Sequence, residues 1–91
     1  MSIKTVNRRS PRRVGRFRLD ARAVEHACVG VSRIMSQCII VRAEMSYLRG
    51  AIEYEAISWR FREVEQGFVL PTYQWIYNAE TGELDVQEVM P

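Results

Sequence analysis

The sequence predicts an α+β domain in which one N-terminal helix packs on a four-stranded antiparallel meander, preceded by a basic extended arm. Three observations predict this fold. Apolar residues recur at spacings of three and four between residues 21 and 35, apolar and polar residues alternate in stretches after residue 38, and arginines crowd the stretch NRRSPRRVGRFR. A chain of 91 residues with 47% apolar residues is typical of one small globular domain.

Charge is divided unevenly along the chain. Residues 1–18 hold seven cationic side chains and no acid, whereas residues 19–91 hold six arginines and eleven acids, which gives a charge of +7 followed by −5. We call residues 1–18 the basic arm, and we expect residues 19–91 to form the single α+β domain. The first thirteen residues have little to bury and are expected to be extended or disordered on their own, while Val14, Phe17 and Leu19 suit a short edge strand.

A helix is predicted to follow the basic arm over residues 21–35. Asp20 suits its N-cap, and Gly30 either weakens the helix or allows a neighbour to pack closely. The apolar stripe of this helix comprises Val24, Ala27, Cys28, Val31, Ile34 and Met35.

Residues 38–66 have two interpretations. Their β-branched run, their aromatic residues and the turn candidate Arg49-Gly50 favour strands, and a helix that continues the earlier stripe is the alternative. A two-residue turn would pair Tyr47 with Ile52, and a bulge at Ala56 would keep the apolar residues on one face. The other predicted pairs are Met45 with Tyr54, Ala43 with Ile57, Val41 with Trp59 and Ile39 with Phe61.

The same register sets two carboxylates opposite each other on the second face of the hairpin. Glu44 would face Glu55, with Glu53 diagonal to it. Like charges opposed in a sheet are unfavourable, so we expect compensation from Arg42 or from an arginine of the basic arm. Acid–base or metal chemistry at this pair has little support, because no histidine or further acid lies at a ligand spacing.

Two further strands complete the predicted meander. Gln66-Gly67 is a turn signal, and Pro71 precedes a strand over residues 72–78. A turn follows at residues 78–82, in which Gly82 suits a positive φ. On the third strand the aromatic residues Tyr73, Trp75 and Tyr77 alternate with other residues. The last strand is predicted to carry Leu84 and Val86 on the apolar face.

The basic arm is the main candidate binding site. Guanidinium groups present planar forks of donors that suit phosphates and carboxylates, and each neutralised phosphate of a nucleic acid releases counterions. Two alternatives remain open, since the arm can instead pair with acidic surface of its own or a neighbouring subunit, or serve no purpose. The candidate anion-binding residues are Arg8, Arg9, Arg12, Arg13, Arg16 and Arg18.

Two apolar groups are candidate contact surfaces. The aromatic residues Tyr73, Trp75 and Tyr77 can stack on bases, or they form the core beneath the helix. Three consecutive apolar residues before Pro71 form a docking patch if their loop is exposed, and ordinary core if it is not. These are Phe68, Val69 and Leu70.

Several kinds of chemistry have no support in the sequence. Cys28 and Cys38 have neither a metal-ligand spacing nor a disulfide framework, and His26 has no implied nucleophile beside it. There is no glycine-rich phosphate loop, no secretory signal and no apolar run of membrane-spanning length. We therefore expect a cytoplasmic protein that is not an enzyme and that needs no cofactor or metal.

The predicted function is capture or inhibition: the basic arm and the sheet surface would hold an anionic partner, which is a nucleotide, a nucleic acid or an acidic protein surface. The alternative is a protein–protein inhibitor or a homo-oligomeric assembly factor whose arm pairs with a neighbouring subunit. A small meander has two open edges to cover, so a homo-oligomer is expected, most simply a dimer. In general character the chain is similar to accessory proteins of phages and mobile elements, including inhibitors of host defence.

Overall fold

A mixed β-sheet organises the molecule. The computed structural model describes residues 12–65, 67 and 69–89. Within these residues the elements are β1 (Val14–Asp20), α1 (Ala21–Glu25), α2 (Val29–Met35), β2 (Ile39–Ser46), β3 (Ala51–Ile57), β4 (Thr72–Tyr77) and β5 (Leu84–Val89). The α+β class is confirmed, but five strands rather than four form the sheet of the described residues, in the order β2-β3-β1-β4-β5. All neighbours are antiparallel except β1 and β4, which are parallel.

The additional strand is β1, which contains the end of the basic arm. Its residues alternate between a buried face and an exposed face, with Gly15 and Phe17 buried and Arg16 and Arg18 exposed. The prediction of a short edge strand is wrong, because β1 lies between β3 and β4 at the centre of the sheet. The boundary predicted at residue 18 therefore falls inside a strand.

The predicted helix over residues 21–35 is two short helices instead. α1 ends at Glu25, Ala27 has a φ of 49°, and α2 begins at Val29. The Cys28 amide donates to the Ala23 carbonyl and closes the end of α1. The two helices lie over different parts of the sheet, α1 beside β1 and β3 and α2 beside β5, and one straight helix would not follow that path.

Gly30 allows the close approach that the sequence suggested. A Cβ atom at this position would lie 3.1 Å from the ring of Tyr77. In the next turn of α2, Ile34 is buried against the sheet. The small residue and the large one together seat α2 on the sheet.

The strand interpretation of the next stretch is confirmed, but its register is wrong by two residues. Met45 pairs with Ile52 rather than with Tyr54, so residues 47–50 form the connection and Gly50 has a φ of 63°. The irregularity in the ladder lies on β2, between Ile40 and Arg42, and not at Ala56 of β3.

The segment after β3 is a loop and not a continuation of that strand. β3 ends at Ile57, Trp59 is 70% exposed, and Phe61 is fully buried. The loop is held by backbone hydrogen bonds to the residues before β1: Ser58 donates to Arg13, and Arg12 and Val64 form a bridge. The predicted pairs of Val41 with Trp59 and Ile39 with Phe61 are therefore wrong.

The β4–β5 hairpin agrees with the sequence prediction. Tyr77 pairs with Leu84, and Gly82 has a φ of 76°. The Asn78 side-chain oxygen accepts hydrogen bonds from the amides of Glu80 and Thr81, which is the role that asparagine plays in such turns.

The core lies on one face of the sheet, beneath the two helices and the loop after β3. Aromatic rings make up most of it: Phe61 stacks on Tyr73 with ring centroids 4.3 Å apart, and Phe17 stacks on Tyr54 at 5.2 Å. Its buried members are Phe17, Ile34, Tyr54, Ala56, Phe61, Tyr73 and Leu84. The opposite face of the sheet carries charged side chains.

Candidate interaction surfaces

The second face of the sheet carries two rows of charged side chains. Strand pairing aligns Arg42, Glu55 and Arg16 across β2, β3 and β1 in the first row. The adjacent row is Glu44, Glu53 and Arg18. These six residues line an open groove of about 630 Å³ together with residues of β4 and β5. We call this surface the charged face.

The charged face uses two arginines of the basic arm. Arg16 Nε lies 3.3 Å from a Glu55 oxygen, and Arg18 Nε lies 3.8 Å from a Glu53 oxygen. Two of the candidate anion-binding residues thus neutralise carboxylates of their own chain. Compensation of the β3 carboxylates by arm arginines follows the expectation, although Glu44 faces Glu53 rather than Glu55.

The other candidate arginines lie before β1. Arg13 donates from Nη1 to the carbonyl of Phe61 at 2.8 Å, and its side chain helps to hold the loop after β3. Arg12 is exposed, and among the described residues neither Arg12 nor Arg13 forms an ion pair. Arg8 and Arg9 lie outside the described residues.

The three aromatic residues proposed for stacking lie on the face covered by the helices. Tyr73 is 6% exposed, and its hydroxyl accepts a hydrogen bond from the amide of Arg62. The guanidinium of Arg60 lies 5.8 Å from the centroid of the Trp75 ring, and Tyr77 packs on Gly30. The arrangement matches the alternative in which these rings form the core.

The apolar patch proposed before Pro71 is described only in part. Val69 is 85% exposed and Leu70 is half-buried. Phe68 lies outside the described residues. Val69 thus offers an exposed apolar side chain, whereas Leu70 is partly covered.

Sequence reasoning missed the most exposed apolar surface of the described residues, which lies along β2. β2 is at the end of the sheet, and seven of its eight residues are exposed. The apolar ones are Ile39, Ile40, Val41 and Met45, followed by Tyr47 and Leu48, which are 89% and 97% exposed. We call these six residues and the outer side of β2 the β2 edge. The run Ile39-Ile40-Val41 places apolar groups on both faces of a strand, which is typical of a buried strand, so the sequence carried no signal for this exposure.

The opposite edge of the sheet differs in chemistry. β5 carries Asp85, Gln87 and Glu88 among its exposed residues, and Arg62 holds Glu88 through two hydrogen bonds of 2.7 and 3.1 Å. These bonds lower the pKa of Glu88. Arg60 also donates to the carbonyl of Leu84 at 2.7 Å. β2 also carries two charged residues and a ladder irregularity, which are usual protections of edge strands, but it exposes more large apolar side chains than β5 does.

The described residues contain few other groups that could react or bind a metal. Burial raises the pKa of the Cys38 thiol, and a hydrogen bond with Ser58 partly offsets the effect. No three histidine, cysteine, aspartate or glutamate side chains in residues 12–65, 67 and 69–89 come together as a metal site. No helix in the same part of the chain is long and apolar enough to cross a membrane.

Similarity to known proteins gives no guide to what these surfaces bind. No protein-family model, curated protein or solved structure matches this chain.

Proposed function

We propose that this chain is a non-enzymatic binding protein that holds a protein partner by strand addition at the β2 edge. The observation that supports the proposal is the exposure of an eight-residue terminal strand with large apolar side chains on it. It is a form of the protein–protein inhibitor or assembly factor that the sequence allowed as an alternative.

Strand addition suits the two kinds of group that this edge offers. The outer backbone groups of an end strand can bond to an added strand, and alternate side chains then give the contact its specificity. Ile39 is 67% exposed and its neighbour Ile40 is 38% exposed, and adjacent residues of a strand point to opposite faces, so apolar contact area is available on both faces. Edge strands that expose several large apolar side chains are aggregation sites in free proteins, and a partner that covers the edge removes that hazard.

A photo-crosslinking amino acid tests the proposal. It is placed at Val41 on the β2 edge and, as the matched control, at Gln87 on β5. The protein is irradiated both pure and in an extract of the cells that make it. We expect a covalent adduct, to a second copy or to another protein, from position 41 and not from position 87. No adduct from position 41, or equal yields from both positions, would reject strand addition at β2.

A second candidate function is the capture of a polyanion by the first part of the basic arm. The observation that favours it is that Arg12 and Arg13 form no ion pair among the described residues, whereas Arg16 and Arg18 do. Residues 1–13 hold five cationic side chains. If only these five contact phosphates, the log–log dependence of affinity on salt has a slope of about −4.5 rather than about −6 for all seven.

Binding to duplex DNA of arbitrary sequence over a salt series measures this slope. The variant Arg12→Ala is expected to reduce its magnitude by about one, because one phosphate contact is lost. Arg22→Ala on α1 is the control, with the same loss of charge per residue at a site outside the arm. Affinity that does not depend on salt would exclude capture by the arm.

A further inference from the structure

We propose that the partner at the β2 edge is a second copy of this chain, paired antiparallel about a two-fold axis that passes beside Ala43. The inference rests on the proposed function, since it names the occupant of the same edge. Its product is a dimer with one continuous sheet of ten strands, counted from the five of each described chain.

Charge complementarity within β2 selects this register. Arg42, Glu44 and Ser46 follow one another on the charged face, and Ala43 lies between the two charges on the other face. In an antiparallel pair with Ala43 opposite itself, Arg42 of each copy faces Glu44 of the other. One strand therefore supplies both halves of two identical ion pairs, as a two-fold contact requires.

Neighbouring symmetric registers are unfavourable. A two-fold axis perpendicular to the sheet places one residue opposite its own copy, so the next allowed registers on the same two faces are centred on Arg42 or on Glu44. The first sets arginine against arginine, and the second sets glutamate against glutamate. Like charges directly opposite each other destabilise a sheet, which leaves the register centred on Ala43.

The isolated chain contains a charge conflict that this pairing relieves. Glu44 lies directly opposite Glu53 in the β2–β3 ladder. Its own-chain cation is Arg42, at 3.8 Å, and Arg42 lies opposite Glu55 at the same time. Glu53 already has Arg18 and Arg49 within 3.8 Å of its carboxylate. A second copy brings a second guanidinium to the outer side of each Glu44, whose own-chain cation also lies opposite Glu55.

The apolar residues of the β2 edge also complement one another in this arrangement. They occur in two groups, one before Arg42 and one after Glu44. In this register Val41 of each copy lies opposite Met45 of the other, and the irregularity between Ile40 and Arg42 interrupts the alternation beyond that pair. The first group is Ile39, Ile40 and Val41, and the second is Met45, Tyr47 and Leu48. The charged faces of the two copies join into one surface across the axis.

Charge reversal in single and mixed samples tests the register. The mass in solution is measured by size-exclusion chromatography with light scattering over a concentration series, and circular dichroism checks folding. We expect the wild-type chain to be a dimer. Arg42→Glu and Glu44→Arg should each weaken self-association roughly tenfold or more, because two attractive cross-strand pairs become repulsive. An equimolar mixture of the two variants should restore the dimer, since each edge then faces its opposite charge.

Matched controls carry the same charge changes away from β2. Arg22→Glu on α1 and Glu83→Arg before β5 are expected to leave the dimer intact. Dissociation of the controls, or a dimer that survives Arg42→Glu, would overturn the register. A wild-type chain that is monomeric at every concentration would overturn the second copy as partner. The proposed function would survive that result if position 41 still formed its adduct with another protein.

Discussion

Phe61 and Trp59 provide the sharpest test of how this chain packs, because the two side chains have the same place in the sequence pattern and opposite places in the structure. Phe61 is fully buried and stacks on Tyr73, while Trp59 is 70% exposed. Phe61→Ala removes a ring from the centre of the aromatic cluster and leaves a cavity. Trp59→Ala removes a larger ring from the surface.

The expected magnitudes differ several-fold. Truncation of a buried phenylalanine costs about 3–5 kcal/mol of the free energy of unfolding. Trp59 loses its contact with the Arg60 guanidinium, 5.5 Å from the ring centroid, and an exposed cation–π contact contributes only about 0.5–1 kcal/mol. For a domain of this size, each kcal/mol shifts the Tm by about 4–8 °C, so the loss at Phe61 corresponds to roughly 12–40 °C.

Urea denaturation followed by far-UV circular dichroism measures both variants without depending on tryptophan fluorescence. The total free energy of unfolding of a chain this long is about 5–14 kcal/mol, so Phe61→Ala can be largely unfolded at 25 °C. The milder variant Phe61→Leu remains measurable in that case, and its free energy of unfolding is expected to fall by about 1–2 kcal/mol. A loss at Trp59 as large as the loss at Phe61 would refute the loop conformation after β3 and favour the continuous strand instead.

Three further predictions concern single sites. Gly15→Ala is expected to lower the free energy of unfolding by about 1–3 kcal/mol, because the added Cβ would lie 2.5 Å from a buried tyrosine ring; a loss below about 0.5 kcal/mol would show that the ring can move. The Glu88 carboxyl should titrate below the usual 4.5 in an NMR pH series, and Arg62→Ala should raise its pKa. Since the pKa of Glu88 is lower in the folded state than in the unfolded state, the ion pair stabilises the fold at pH values above the unfolded-state pKa. This stabilisation is lost as the pH falls through the folded-state pKa. An unchanged titration in the variant would contradict the pairing. Iodoacetamide should modify exposed Cys28 before Cys38, whose thiol pKa is raised by burial, and mass spectrometry that finds equal rates would contradict this order.

Local patterns predicted the parts of the fold that depend on near neighbours. The alternation of Tyr73, Trp75 and Tyr77 and the turn glycine at Gly82 are sufficient to predict the β4–β5 hairpin, because both strands and their turn lie within eighteen residues. Of the two interpretations of Gly30, the structure shows the close packing. Each of these inferences uses contacts that are short in sequence.

Contacts between residues that are far apart in the chain could not be predicted from local patterns. β1 pairs with β3 and β4, and nothing in its own alternation says that it has a neighbour on both sides. Trp59 and Phe61 belong to the same alternating pattern, yet one side chain is exposed and the other is buried. The loop that causes this difference is held by backbone hydrogen bonds to Arg12 and Arg13, which are far away in the chain. The positive φ of Ala27 divides the helix without a glycine or proline to mark it.

The candidate surfaces follow the same division. The charge asymmetry was visible in the composition, and the need for a cation near the hairpin carboxylates could be predicted from like-charge repulsion alone. The exposure of the β2 edge could not be predicted from the sequence. Ile39 and Val41 have the pattern of core residues, and only the strand order places β2 at the end of the sheet.

The parallel pairing of β1 with β4 has a consequence for synthesis on the ribosome. Thr72, the partner of Arg16, is 56 residues further along the chain. At roughly 5–20 residues per second, the middle of the sheet waits about 3–11 s before its last neighbour has been translated. During that interval one side of β1 has no partner strand and Phe17 lacks its contact with Trp75, while Arg16 and Arg18 gain their carboxylates earlier, when β3 has been translated.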